Sequence, residues 1–406
     1  MLVGDILRLL RKYKKTVKLE LLTSLLLIAT TVLALIIYNG PLRPYYNYLL
    51  HDVYIINDFS FHDFINDFLM AIFFLVAGLE IKSEMLYGNL SSLKKASFPV
   101  IASMGGVIFP ALIFLAFNIN TPFKNGFCIP ISTDIAFAVG IFLIFSKRFN
   151  PALKIFLLSL AVVDDLVSIL AIGVIYSIDI KILYLAIAFG ILVTLYIANK
   201  IFKIESITYY LISGICLWYF IHLSGIHSTI SGILLALVIP SKSYSKKISC
   251  LEKLQHILTP VNSLMIMPLF AFANTGISID YSLDISSAST LCYGIIVGLC
   301  VGKPLGIMIF SYLANLFGLT EKPNTISWLG IFFVSLIAGI GFTMSIFVSE
   351  IAFSDNIAIV NLAKMSILIS AIISIVMSFI GILLYILFHK YIKKHNASLI
   401  NKYYIS

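Results

Sequence analysis

Phe156-Leu157-Leu158-Ser159-Leu160-Ala161-Val162-Val163-Asp164-Asp165-Leu166-Val167-Ser168-Ile169-Leu170 sets two adjacent carboxylates in the middle of an apolar run. The run is long enough to belong to a membrane-crossing helix, which needs about 20 residues for a hydrocarbon core of roughly 30 Å. An ionised side chain at the bilayer centre costs at least about 2.5 kcal/mol, so a pair kept there calls for a functional reason. The surrounding chain bears out the lipid setting. Its 406 residues are 60% hydrophobic and 12% charged, and the mean hydropathy is +1.03. A soluble domain of this size could not bury so much apolar surface.

Working outward from that run, apolar windows predict an all-α polytopic protein of about twelve transmembrane helices, near 18–38, 62–86, 96–118, 123–146, 151–176, 181–201, 206–222, 224–240, 257–276, 289–317, 327–352 and 357–388. On this scheme 23 of the 28 Lys and Arg fall on the side of the N-terminus. That asymmetry is the positive-inside pattern for an even number of crossings with both termini in the cytoplasm. The net charge of +9 is thereby accounted for without a nucleic-acid partner. The chain divides into a basic N-terminus (1–17), one membrane transport domain (18–388) and a cytoplasmic tail (389–406). The apolar segment after residue 17 ends at Asn39-Gly40-Pro41 without a small-residue cleavage motif, so an uncleaved first helix is expected. Cys128, Cys216, Cys250, Cys292 and Cys300 lack metal-ligand spacing and read as free, buried thiols.

The longest outer loop, 39–61, carries strand-forming aromatic and β-branched residues from Pro44 to Ile56. It reads as a surface hairpin, serving either as a subunit contact or as an interfacial lid with tyrosines at headgroup level. Helices three to five would enter from the cytoplasm and ten to twelve from outside. The triplets at about 96–176 and 289–388 are therefore candidates for inverted-topology repeats, with the other helices forming an interface panel. The middle member of each triplet is interrupted, at Pro130-Ile131-Ser132-Thr133-Asp134 and at Gly339-Ile340-Gly341-Phe342-Thr343. Each break frees backbone polar groups that lipid cannot satisfy. Either alone could be a packing kink; matched breaks point to a transport site.

Four charges lie deep in apolar runs: Asp134, Asp164, Asp165 and Lys303. Adjacent helical residues point about 100° apart, so Asp164 and Asp165 can divide the labour, one binding an ion while the other meets a cation. Sodium prefers hard oxygen ligands, which the two carboxylates, the Thr133 hydroxyl and freed carbonyls could supply. A carboxylate kept from water needs a proton or a cation, and competition between them couples sodium to protons. Asp134 stands where a second half-helix would begin and so complements its N-H groups. Lys303 could pair with Asp164 or offset carbonyl ends. The bland alternative is a structural polar network that fixes helix packing. An intramembrane aspartyl protease would need its carboxylates on facing helices, whereas these are sequential and no Gly-x-Gly-Asp occurs. Gly302-Lys303-Pro304 lacks the spacing and the Ser or Thr of a phosphate loop, which excludes ATP binding. A transporter is expected, not an enzyme, with no cofactor besides the transported ions.

Val76-Ala77-Gly78-Leu79-Glu80-Ile81-Lys82, Ser132-Thr133-Asp134-Ile135-Ala136-Phe137-Ala138, Val163-Asp164-Asp165-Leu166, Ser224-Gly225-Ile226-His227-Ser228-Thr229, Pro268-Leu269-Phe270-Ala271-Phe272-Ala273-Asn274, Gly302-Lys303-Pro304-Leu305-Gly306 and Gly339-Ile340-Gly341-Phe342-Thr343-Met344-Ser345-Ile346 together resemble the NhaA-type sodium/proton antiporters over nearly the whole chain. The resemblance implies twelve helices, a homodimer in the bacterial inner membrane, and electrogenic exchange of cytoplasmic sodium or lithium for external protons, activated at alkaline pH. It further implies that Asp165 is the main sodium-binding carboxylate, Asp164 the partner of Lys303, and Thr133 with Asp134 the contribution of the broken helix. Glu80 and Glu84 match acidic positions at the cytoplasmic entrance, Asp67 matches more weakly, and His227 matches a histidine linked to pH response. His256 is retained in a segment where Gln255 and Thr259 replace residues that are often Glu and His. Lys82 is followed by Ser83 rather than Arg, so the cytoplasmic face has fewer titratable groups than the family pattern and its pH profile is expected to differ.

Overall fold

A computed structural model describes residues 2–56, 59–88, 90–146, 149–176, 180–243, 248–278, 289–320 and 322–403, without the side chains of 2–17, 56, 93–95, 174 and 385–403. The basic residues expected in 1–17 and 389–406, with Lys94, Lys95, Lys147, Arg148, Lys246 and Lys247, fall outside the described side chains. The principal helices are α1 (Leu2–Tyr38), α2 (Phe61–Tyr87), α3 (Leu93–Asn118), α4 (Ile135–Ile144), α5 (Pro151–Ile175), α6 (Ile182–Lys200), α7 (Ile207–Leu223), α8 (Ile230–Val238), α9 (Cys250–Asn274), α10 (Ser289–Leu316), α11 (Trp328–Ala338), α12 (Phe342–Ala352) and α13 (Ile357–Tyr403). Among the described residues nine helical segments are long and apolar enough to cross a bilayer, and the pair α11–α12, bent by 46°, makes a tenth.

One expected crossing comes out shorter than expected, and another has the short length expected of it. Helix α7 has 17 residues, and α8, expected over 224–240, has nine, about 14 Å of rise. The chain keeps turning through Gly225, at φ +83°, and the helix ends at Ile239, whose extended backbone suits the residue before Pro240. Helix α9, expected from 257, begins at Cys250 because Ser249 and Glu252 form a reciprocal capping box. Among the described residues of the 39–61 loop, β1 (Tyr54–Ile56) and β2 (Phe59–Ser60) pair, antiparallel. Arg43–Asn47 is helical and Tyr48–Asp52 a π-turn, so the strand reading of the aromatic stretch fails over 44–52. Pro44 sits in the first helical turn, where its missing N-H is no loss.

Prolines also mark where spans loosen. The π-turns Asn262–Ile266 in α9 and Gly298–Gly302 in α10 lie just ahead of Pro268 and Pro304. Each proline removes an intrahelical donor, and the preceding turn widens. The largest apolar cluster unites α1, α3, α4, α5, α10, α11, α12 and α13 with the first half of α2 and the second half of α9. A second, built on Leu79, Ala188, Leu195, Tyr210, Leu217, Ile239 and Leu251, joins α6, α7, α8 and the start of α9 to α2.

Helices α3 and α10 cross with their backbones in contact. A Cβ on Gly105 would overlap the carbonyl of Gly306 and meet Phe310, and a Cβ on Gly306 would overlap the carbonyl of Gly105 and meet Phe109. The contact is reciprocal, as a local two-fold axis would make it, and only glycine permits so close an approach.

Candidate functional site

The two interrupted spans meet where their helices stop. The chain enters one break as a 3-10 helix (Lys124–Ile131), extends over Ser132–Asp134 and resumes as α4. The other break separates α11 from α12 at Gly339–Gly341. The Asp134 N-H donates to the Ile340 carbonyl at 2.9 Å, the Thr133 hydroxyl reaches the Ala338 carbonyl at 3.1 Å, and the Ser345 hydroxyl donates to the Ile129 carbonyl at 2.7 Å. Polar backbone left over by each break is thus partly satisfied by the other.

Asp134, fully buried, serves both half-helices. Its Oδ1 accepts from the Phe137 N-H at the start of α4, 2.9 Å. Its Oδ2 accepts from the N-H of Thr343 at the start of α12, 3.2 Å, and from the Thr343 hydroxyl. One carboxylate therefore faces the N-terminal ends of two half-helices.

Asp164 and Asp165, midway along α5, are both buried, with Lys303 and Thr133 beside them. Lys303 Nζ lies 2.9 Å from Asp164 Oδ2 and also donates to the Ile131 carbonyl, an acceptor exposed by the break. The Thr133 hydroxyl is 3.0 Å from the same Oδ2, and the Ser103 hydroxyl of α3 donates to Oδ1 at 2.5 Å. Asp164 is thereby fully engaged. Asp165 is its opposite: neither carboxylate oxygen has a hydrogen-bond partner among the described residues. It sits in the field of Asp164, Asp134 and Glu80 on one sign and Lys303 on the other. A buried carboxylate without donors is stable only when a proton or a cation neutralises it.

Of the remaining candidates, Glu80 is near enough to bear on Asp165 electrostatically. Glu80 and Glu84, on the second half of α2, are half-buried, and Glu80 also feels Glu20 of α1. Glu20 is held by Lys154 of α5 at 2.7 Å. His227 lies between α7 and α8, its Nδ1 buried with no hydrogen-bond partner among the described residues and its ring 6.0 Å from that of Phe347. Asp67 stands 3.7 Å from His222. His256 is exposed on α9.

Sequence reasoning missed Ser103, Thr343 and Glu20. A serine within a membrane helix is too common to stand out, and Thr343 was visible only as part of a break. Glu20 stands near the start of the first apolar run, just after a basic stretch, where a charge is not conspicuous.

A family model described as Na+/H+ antiporter 1 matches residues 14–382. Among curated relatives, a Helicobacter pylori protein named Na(+)/H(+) antiporter NhaA is 41% identical over 89% of this chain and 92% of its own length. An Aliarcobacter butzleri protein, Na(+)/H(+) antiporter NhaA 2, is 42% identical over 90% and 95%. A Pelagibacter ubique Na(+)/H(+) antiporter NhaA is 41% identical over 92% and 97%. On these matches the chain belongs to the Na+/H+ antiporter 1 family, that of the NhaA-type sodium/proton antiporters.

Proposed function

We propose that this chain is a sodium/proton antiporter of the bacterial inner membrane that exports cytoplasmic sodium or lithium in electrogenic exchange for external protons, with Asp165 as the principal carrier carboxylate. The observation that carries this reading is the contrast between Asp165, whose two buried oxygens have no donor among the described residues, and Asp164, which has three. Asp164 is neutralised internally by Lys303; Asp165 must take its partner from outside the chain. Protons and sodium compete for it. A sodium ion seated between the carboxylates would draw on Asp165, Asp164 Oδ2 and the Thr133 hydroxyl, all hard oxygen donors. Lys303 would then lean on the Ile131 carbonyl it already touches. Two carboxylates and an amine can exchange more than one proton per sodium, which makes the cycle electrogenic.

In this reading the chain makes twelve crossings with both termini cytoplasmic, α7 and α8 being two short ones. The triplets at about 96–176 and 289–388 form an inverted-repeat core, supported by the reciprocal Gly105–Gly306 contact and the interlocked breaks. The other helices form a panel through which two copies associate. The core alternates its access against that panel. Glu80 and Glu84 draw cations to the cytoplasmic mouth, and His227 tunes the response to pH.

Proteoliposomes carrying an internal pH dye test the proposal: sodium or lithium added outside should drive proton flux, and Asp165→Asn should abolish it while folded protein is retained. Absence of sodium-dependent flux at any pH would sink the antiporter reading, and near-normal flux in Asp165→Asn would overturn the site assignment alone.

A further inference from the structure

Buried hydroxyls in the helices of this chain mostly return their proton to a carbonyl of their own helix. Thr23, Thr31, Ser366 and Ser378 each donate to the carbonyl four residues back, at 2.7–2.9 Å, the usual outlet for Ser and Thr inside a helix. Ser103 departs from this pattern. Fully buried on α3, it donates instead across to Asp164 Oδ1 at 2.5 Å, within the range of a short, charge-assisted bond.

The crossing of α3 and α10 makes that geometry available. Gly105 and Gly306 bring the two backbones together, so Ser103 on one helix and Lys303 on the other reach the same carboxylate from different sides. Gly106 closes the Oδ1 side further, since a Cβ placed there would lie 3.8 Å from Oδ1. The two oxygens of Asp164 therefore have unequal surroundings. Oδ1 is enclosed by Ser103 and Gly106, and Oδ2 is shared by Thr133 and Lys303. The Thr133 hydroxyl has one proton and two acceptors, Asp164 Oδ2 and the Ala338 carbonyl, so it can turn that proton to the carbonyl and present its oxygen to an incoming cation.

We propose that Ser103 is a positioning residue of the exchange site: by occupying Oδ1 it confines ion exchange at Asp164 to Oδ2, and thereby limits how tightly the site holds sodium. The inference rests on the antiport reading above. With Oδ1 engaged, a cation gains one oxygen from Asp164 rather than two, which leaves binding weak enough for release on the far side. Freeing Oδ1 would give Asp164 a second competing ligand and turn a carrier into a slower, stickier one.

The test is sodium-driven proton flux in proteoliposomes at alkaline pH, where protons compete least, comparing wild type with Ser103→Ala, Ser103→Thr and Ser103→Cys. Loss of one charge-assisted donor should lower the sodium KM of Ser103→Ala by about three-fold or more, with a parallel fall in kcat. Ser103→Thr, which keeps the hydroxyl, should restore both. Should Ser103→Ala fail to fold, Ser103→Cys, with its weaker donor, should shift KM in the same direction by less. An unchanged KM in the folded Ala or Cys variant overturns the proposal. So does a raised KM, which would make Ser103 a cation ligand, and so do equal shifts in Ala and Thr, which would make the effect one of packing. A wild type without flux would instead remove the antiport reading itself.

Discussion

Lys303 is fully buried, and it meets two groups of the proposed exchange site: Asp164 on one side and the Ile131 carbonyl on the other. A buried pair of this kind is weak evidence for stability as a pair, but breaking it by removing one partner strands a charge, at about 3–5 kcal/mol. Lys303→Ala should therefore lower the melting temperature of the purified protein markedly, and adding Asp164→Asn to the same chain should recover much of the loss. Both variants should exchange poorly, so stability and transport separate. A double variant no more stable than Lys303→Ala would show that the lysine acts through packing and not through charge. The charged members of the site were legible as sequence because lipid makes every buried charge conspicuous. The hydroxyls that select among their oxygens were not, since Ser103 sits among Ala102, Met104 and Gly105 with nothing in local pattern to mark its long-range acceptor.

The interrupted elements explain how these residues are held. Pro130 and the run after it could be read as a break, as could Gly339-Ile340-Gly341, because Pro and Gly act locally. What no local pattern carried was that the breaks bond to each other, or that Asp134 caps α12 as well as α4. For the same reason α8 was read as a full crossing: its apolar residues extend far enough, while Gly225 and Pro240 decide where helix begins and ends. The α3–α10 crossing offers a test at this scale. Gly105 is not itself a candidate ion ligand, yet a methyl there would overlap the Gly306 carbonyl and force the helices apart. Overpacking of this kind typically costs about 1–3 kcal/mol and shifts backbone. Gly105→Ala should then cut exchange by about ten-fold, since misplacing a site by 1 Å can cost more than that. Gly190→Ala, whose new methyl would meet nothing within 4 Å, is the control and should transport normally. Normal exchange by Gly105→Ala would mean that the crossing does not set the site.

Across the whole molecule the panel and the proposed core are joined at one end by an ion pair, Glu20 of α1 with Lys154 of α5, at 2.7 Å and partly exposed, 25% and 15%. Close by on the panel, Ser24 of α1 donates to the Ala136 carbonyl of α4. A core that moves against the panel must break such contacts in one of its two states, so each stabilises the state in which it is made. A partly exposed pair is worth about 1 kcal/mol, enough to shift a two-state population about five-fold. Glu20→Gln and Lys154→Gln should accordingly move the sodium KM in the same direction by a few-fold, and the double variant should move it no further than either single one. Glu20 also shares its surroundings with Glu80 and Glu84, which offers a rival account in which its charge simply attracts cations. That account predicts opposite signs, with KM rising on loss of the acid and falling on loss of the lysine. Steady-state flux at two ionic strengths distinguishes them: attraction through solvent weakens as the Debye length contracts to about 3 Å at 1 M salt, whereas a contact pair is screened much less. Opposite or additive shifts would leave Glu20–Lys154 as entrance electrostatics; equal, non-additive shifts that survive high salt would make it the latch between the two moving parts.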